Sequence, residues 1–240
     1  MDLNHSYGMK TVSVVIPTYE MHGKGVEFLD FSLNVLHKQT FKDFDVIVSD
    51  HSKSHEILNV CKIWSQMGLD VKYIRNFNNL GSSSHNLNYG MSIAKGKYIK
   101  VLFQDDFLFD QESLEKSVLA LESNPDRQWL VSPSEHSYDG VNMTSTHIPH
   151  YHDEIHLGKN TISSPSVLTL RNEFILEFDN NLIWLMDVEY YKRLYLTYGP
   201  PVILDSVTVV NRLWELQLSH IISAERKNAE KEYTKKLYDY

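Results

Sequence analysis

Cysteine is almost absent. Cys61 is the single one in 240 residues, so no disulfide can close within the chain and a reducing compartment is permitted. Ile57, Val60, Cys61 and Trp64 have the i, i+3, i+4, i+7 spacing of a buried helix face, which reads Cys61 as core and not as a nucleophile. Basic residues are outnumbered, 23 Lys and Arg against 31 Asp and Glu, for a formal net charge of −8. That balance leaves no electrostatic footprint for nucleic acid. A phosphate ligand would need local help, from a metal or from backbone N–H groups. No apolar run approaches the ~18 residues of a membrane span. The opening MDLNHSYGMK has no apolar h-region, and the expectation is a soluble, cytoplasmic chain. Neither an internal repeat nor a Gly/Ser linker divides the sequence, so one continuous domain over 1–240 is expected.

What is present is an alternation of strand and helix patterns over the first 110 residues. TVSVVIP (11–17), FDVIVSD (44–50), VKYIR (71–75) and KYIKVLF (97–103) read as strands. Helices are expected over 26–39, 55–68, 82–96 and 111–125, the third with a serine cap and a terminal glycine. Continuous apolar strands joined by helical crossovers imply an α/β, Rossmann-like, mostly parallel sheet with helices on both faces. Ligands bind such sheets at the carboxyl ends of the strands. Four such ends carry Pro17-Thr18-Tyr19, Asp50, Asn76 to Gly81, and the adjacent pair Asp105-Asp106. The second half is less regular and should form a smaller mixed part. A strand is expected at 129–133, loop or hairpin over 134–164, and a strand then a short helix over 165–178. A helix follows at 182–199, a strand at 201–212, and a long helix over 213–237.

Adjacent like charges at the end of an apolar strand are costly to ionise. Asp105 and Asp106 make sense beside a divalent cation shared with a diphosphate, because Mg²⁺ and Mn²⁺ favour one or two carboxylates plus phosphates and waters. Read as residues alone, they serve as well as a cap on the helix near Gln111 or as an exposed turn. Asp50 can likewise be a plain turn residue, and Asp187 an N-terminal charge favoured by its helix dipole.

In order, VSVVIPTYE, VIVSDHS, NNLGSSSHNLNYGMSIAKGKYIKVLFQDDF, ISSPSVLTLR and WLMDVEYYKRL resemble the signatures of glycosyltransferase family 2 over roughly residues 12–215. The resemblance implies a GT-A fold and an inverting transferase that uses a nucleotide-activated sugar, a UDP-sugar, with Mn²⁺ or Mg²⁺ as cofactor. It implies a nucleotide-binding half at about 11–110 and an acceptor-binding half at about 111–215. The acceptor it implies is a glycan or a lipid-linked sugar. Pro17, Thr18, Tyr19, Glu20, Asp50, Asn79, Gly81, Asn88, Gln104 and Asp105 fall in the nucleotide and donor segments. Asp105 and Asp106 fall at the metal, with His220 as a late further ligand. Ser164, Pro165 and Ser166 fall near the acceptor and diphosphate, and Asp187 matches the general base; Arg212 is placed to reach the diphosphate or, equally, to pair with Glu215. The sequence departs from the pattern where Phe103 replaces the first acid of D-x-D. Ser49 and Met186 also stand in for acids, Glu20 for an asparagine, and Leu87 for an arginine.

Two other functions fit parts of the sequence. A sugar-phosphate nucleotidyltransferase would use a similar strand-end carboxylate, but Gly23, Lys24 and Gly25 come late and sparse for its Gly-rich loop. A non-catalytic carbohydrate- or nucleotide-binding module would explain Phe103 and Met186. His147, His150, His152 and His156, beside Asp153 and Glu154, raise a zinc site that no spacing fixes. The charged C-terminus reads as a solvated helix or frayed tail, with Tyr233, Leu237 and Tyr238 available to a membrane surface or another subunit.

Overall fold

VSVVIPT offers apolar or β-branched side chains on both faces of an extended segment, and a strand of that kind is stable only when covered twice. In the computed structural model, which describes residues 9–173 and 175–238, this segment is β1 (Val12–Thr18), buried along its whole length. It is followed by α1 (Gly25–His37), β2 (Phe44–Asp50), α2 (Glu56–Gln66), β3 (Val71–Arg75), α3 (Ser83–Ile93) and β4 (Tyr98–Val101). The chain continues through β5 (Phe107–Leu108), α4 (Ser113–Glu122), β6 (Trp129–Val131), β7 (Ser134–Ser137), β8 (Met143–His147) and β9 (Leu168–Arg171). It ends with α5 (Met186–Tyr198), β10 (Val202–Ile203), β11 (Val209–Arg212), α6 (Leu218–Ile221) and α7 (Ala224–Tyr238).

The main sheet has the order β10-β6-β9-β4-β1-β2-β3. β1 pairs in parallel with β2 and β4, and β2 with β3, so the carboxyl ends of these strands share one rim. β9 runs antiparallel between β4 and β6, with Lys100 opposite Thr169. Its amino end, with the 3-10 turn Pro165–Val167 before it, therefore lies at the same rim. α3 packs closely against this sheet. A Cβ on Gly90 would come within 2.6 Å of Val15 Cγ1 and 3.3 Å of Ser49 Cβ, so only glycine allows the approach.

A second sheet, β5-β11-β7-β8, builds the mixed part. β11 pairs antiparallel with β5, Val210 opposite Phe107, which sets Asn211 and Arg212 beside the residues just before β5.

Three expected elements differ. The 201–212 strand is two, because polar Asp205-Ser206 interrupts it and the pieces join different sheets. The 3-10 turn at Pro165–Val167 precedes β9, and no helix is described from 172 to 178, apart from undescribed Phe174. The 213–237 helix is two, for 213–217 are not helical, the first piece is only Leu218–Ile221, and after Ile222, whose backbone is extended, the second starts where Ser223 Oγ accepts the Arg226 N–H at 3.2 Å. Its last stretch is not a frayed tail. Tyr233 donates its hydroxyl to Asp179 at 2.8 Å, Tyr238 to Glu189 at 2.6 Å, and Glu230 and Thr234 are buried, so the two tyrosines face the body of the protein. No helix among the described residues is long and apolar enough to cross a membrane.

Candidate active site

A cleft of about 820 Å³ opens along the rim. Pro17 to Glu20 follow β1, His51 and Lys53 follow β2, and Phe103 to Asp105 follow β4; all line it. Leu80, Gly81, Ser83 and Asn86 enter from the start of α3. Asn160, Pro165, Ile183 to Val188, Trp214 and Leu218 complete the wall.

Of the adjacent acids, only Asp105 reaches the cleft. Its Oδ2 accepts the Trp214 indole N–H at 3.0 Å, and its backbone carbonyl accepts Arg212 Nε at 3.2 Å. Burial, then the neighbouring Asp106, pushes its carboxyl up to about 7. Asp106 points the other way, a correction to its expected role as a metal ligand. Its Oδ2 accepts Ser166 Oγ at 2.6 Å, Ser164 Oγ at 2.9 Å and Asn211 Nδ2 at 3.0 Å, and its Oδ1 accepts the Arg212 N–H at 3.1 Å. Four donors hold a buried carboxylate that ties the β4 end to β9 and β11. Lys100, buried beneath, donates to the carbonyls of Ser166 and Leu168, and burial lowers its ammonium to about 7.

Asp50 is also turned inward, where a base or ribose contact was expected. It is fully buried and accepts from Tyr73 Oη at 2.7 Å, the Ser52 N–H at 2.8 Å and Thr18 Oγ1 at 3.2 Å, with Arg75 Nε at 3.4 Å. It shapes the turn that presents His51 and Lys53. Asn88 does not face the cleft either. It clamps the backbone of Phe178, accepting its N–H at 2.7 Å and donating to its carbonyl at 2.8 Å. Asn79 is exposed at φ +50° and builds the turn before Gly81, which does line the cleft.

Arg212 reaches no ligand position. Its guanidinium stacks on Phe28 (4.9 Å), Phe31 (4.9 Å) and Phe107 (5.3 Å), a cation–π cage outside the cleft lining. Among the described residues no group of three or more His, Cys, Asp or Glu could hold a metal ion. That removes the zinc reading of His147 to His156. It also leaves His220, exposed and donating Nδ1–H to the Trp214 carbonyl at 3.1 Å, outside any ligand cluster. Pro165 lines the cleft, whereas Ser164 and Ser166 serve Asp106.

Gln104 lines the cleft but uses its amide to join β1 to α1, accepting the Tyr19 N–H at 2.9 Å and donating to the Gly25 carbonyl at 2.7 Å. Glu20 accepts the Lys53 N–H; although burial opposes ionisation, this and the Ser54 N–H hold its carboxyl below the usual range. Asp187 stands at the start of α5. Its Oδ2 accepts Asn160 Nδ2 at 2.8 Å and its Oδ1 the Val188 N–H at 2.7 Å, yet burial raises it to about 7.

Asn160, His51 and Trp214 lie outside the residues that the sequence motifs single out. The Trp214 signal was legible, a lone tryptophan just past a strand. His51 Nε2 is buried without a hydrogen-bond partner, and burial, then His85, lowers its imidazole.

Residues 13–187 match the family model described as glycosyl transferase family 2. The chain belongs to that family. It is 34% identical over 122 residues to an uncharacterized glycosyltransferase of Methanocaldococcus jannaschii, covering 50% of this chain and 40% of that protein. It is 29% identical over 100 residues to the GalNAc(5)-diNAcBac-PP-undecaprenol beta-1,3-glucosyltransferase of Campylobacter jejuni, covering 42% and 31%. The chain thus spans less than half the length of these curated relatives. Among solved structures, TarS 1–349 of S. aureus in complex with UDP-GlcNAc superposes with a TM-score of 0.70 at 20% identity, over 89% of this chain and 62% of that one. The mannosyltransferase PcManGT of Pyrobaculum calidifontis, with GDP-Man and Mn²⁺, gives 0.64 at 13%, over 88% and 59%. The family and these neighbours agree on the GT-A fold.

Proposed function

We propose that the protein is an inverting glycosyltransferase that moves a sugar from a UDP-sugar to a hydroxyl of a glycan or lipid-linked acceptor. The observation that carries the reading is that Asp105 and Asp187, from distant parts of the chain, line one cleft, while Asp50 and Asp106, the latter also raised by burial, are bonded into the frame. The solved relative with UDP-GlcNAc and the undecaprenol-linked substrate named for the Campylobacter jejuni relative support this choice of donor and acceptor.

Asp187 takes the proton of the acceptor hydroxyl. The oxygen attacks the anomeric carbon as the bond to the diphosphate breaks, and the electron pair leaves with the nucleotide. One carboxylate acting from the acceptor side implies a single displacement and inverted configuration. Asn160 orients Asp187 from one oxygen, leaving the other beside the Val188 N–H. Asp105 is the cleft-facing carboxylate that would hold Mn²⁺ or Mg²⁺, completed by donor phosphates, as such ions accept. Bound there, the ion supplies positive charge to the leaving diphosphate. Phe103 in place of an acid leaves Asp105 as the one side-chain ligand from this motif.

Isothermal titration of UDP with and without Mn²⁺ tests the donor site, with binding expected to require or be strengthened by the metal. No binding in either condition removes the reading. Slow hydrolysis of UDP-sugar that survives in Asp187→Asn would remove Asp187 as the base. Release of pyrophosphate from a nucleoside triphosphate and a sugar phosphate would instead mark a nucleotidyltransferase.

A further inference from the structure

Asp187 reaches the cleft on a short stretch of backbone that the C-terminal helix holds. Glu230 of α7 is 3% exposed. Its Oε1 accepts the Ile183 N–H at 3.1 Å, and its Oε2 accepts those of Trp184 and Leu185 at 2.9 Å each. Three consecutive amides just before α5 therefore converge on one carboxylate. Arg226, one turn earlier on α7, donates Nε to Glu230 at 2.7 Å and Nη2 to the Asn181 carbonyl at 2.8 Å. Lys227 and Lys231 lie over the Trp184 ring, with their nitrogens 5.2 and 5.5 Å from its centroid.

Ile183 to Asp187 all line the cleft, so whatever fixes these amides fixes the carboxylate two residues beyond them. A cap from the same loop would have served stability equally well. This cap comes instead from a different helix and adds a second buried acid near Asp187.

We infer that Glu230 is a positioning residue for Asp187: its carboxylate, reaching in from α7, holds the 183–185 backbone that aims the base. The inference rests on the reading of Asp187 as base. The other groups facing Asp187 are Asn160 from the loop before β9, and the Val188 N–H and Tyr191 of its own helix; Arg226 pairs with Glu230. Removing the Glu230 charge takes away the negative neighbour and leaves its partner Arg226 in place, which lowers the affinity of Asp187 for a proton. Burial is the larger cause of the raised Asp187 carboxyl and Glu230 adds in the same direction. A base titrating near neutrality accepts a hydroxyl proton better than one near the usual carboxylate range.

The test is a carboxyl carbon NMR titration of Asp187, assigned with Asp187→Asn, together with amide hydrogen exchange at 183–185. In Glu230→Gln, which keeps an acceptor and loses the charge, the Asp187 midpoint should fall by about half a pH unit or more. In Glu230→Ala, exchange at Ile183, Trp184 and Leu185 should quicken about tenfold or more while the β1 and β2 amides keep their protection. An unchanged midpoint in Glu230→Gln, or unchanged exchange in a folded Glu230→Ala, overturns the inference. If Glu230→Ala does not fold, the Glu230→Gln titration decides alone. Neither readout needs turnover, so loss of the base reading through an active Asp187→Asn would be seen separately.

Discussion

At the scale of single residues, the adjacent Asp105 and Asp106 divide two tasks between them. Asp106 satisfies two hydroxyls, one amide and one backbone N–H in a buried place. Its removal strands those donors, so Asp106→Ala should lower stability by roughly 2–5 kcal/mol in denaturant unfolding. Asp105→Asn should cost under about 1 kcal/mol and instead weaken metal-dependent UDP binding in calorimetry. Equal destabilisation by the two would refute the division. Asp187 carries a second signature. Its folded carboxyl titrates near 7, above the ordinary value, so its stabilising contribution is present at low pH and lost as pH rises through 7. Asp187→Asn, neutral throughout, should melt above wild type by a margin that widens from pH 5 to about 7 and then levels. A margin that shrinks over that range would show that the carboxyl is not raised.

At the scale of elements, Gly90 lets α3 lie against β1. Val15 is fully buried and β-branched, so it cannot yield cheaply to a methyl group at 2.6 Å. Gly90→Ala should therefore destabilise by about 1–3 kcal/mol despite alanine's better helix propensity, read as a lowered denaturant midpoint. A neutral or stabilising change would mean the helix can move. The strands of the first half were legible because burial on both faces forces apolar residues at successive positions, and their carboxyl ends located the cleft. Direction was not legible. Asp105 and Asp106 are neighbours in sequence, and which one faces the cleft is fixed by Asn211 and Ser166, more than 50 residues away. Asp50 had a partial clue, since Tyr73 and Arg75 share one face of β3 and both turn to it. Phe28 and Phe31, three apart on α1, likewise foreshadow the cage around Arg212. Glu230 left no trace, because a buried acid in a helix of mixed charges looks like its exposed neighbours until the helix docks.

At the scale of the whole molecule, a chain of net charge −8 that binds a nucleotide diphosphate as proposed would work against its own field. Of the basic groups near the motifs, Arg212 is caged by phenylalanines and Lys100 is buried on carbonyls, and the family's arginine position is the buried Leu87. Lys53 lines the cleft, but a single lysine balances little of a diphosphate. On the proposed reading, the deficit would make donor affinity depend on a divalent cation at Asp105. Mass action then ties that cation to stability. UDP at ~100 times its Kd adds about 2.7 kcal/mol to the folded state, which for a domain of this size is a Tm rise of roughly 5–10 °C. With Mn²⁺ present, UDP should produce that rise, and EDTA or Asp105→Asn should cancel most of it. If UDP raised the Tm as much in EDTA as in Mn²⁺, the positive charge would have to come from the protein, and Lys53 with His51 would be the groups to substitute next.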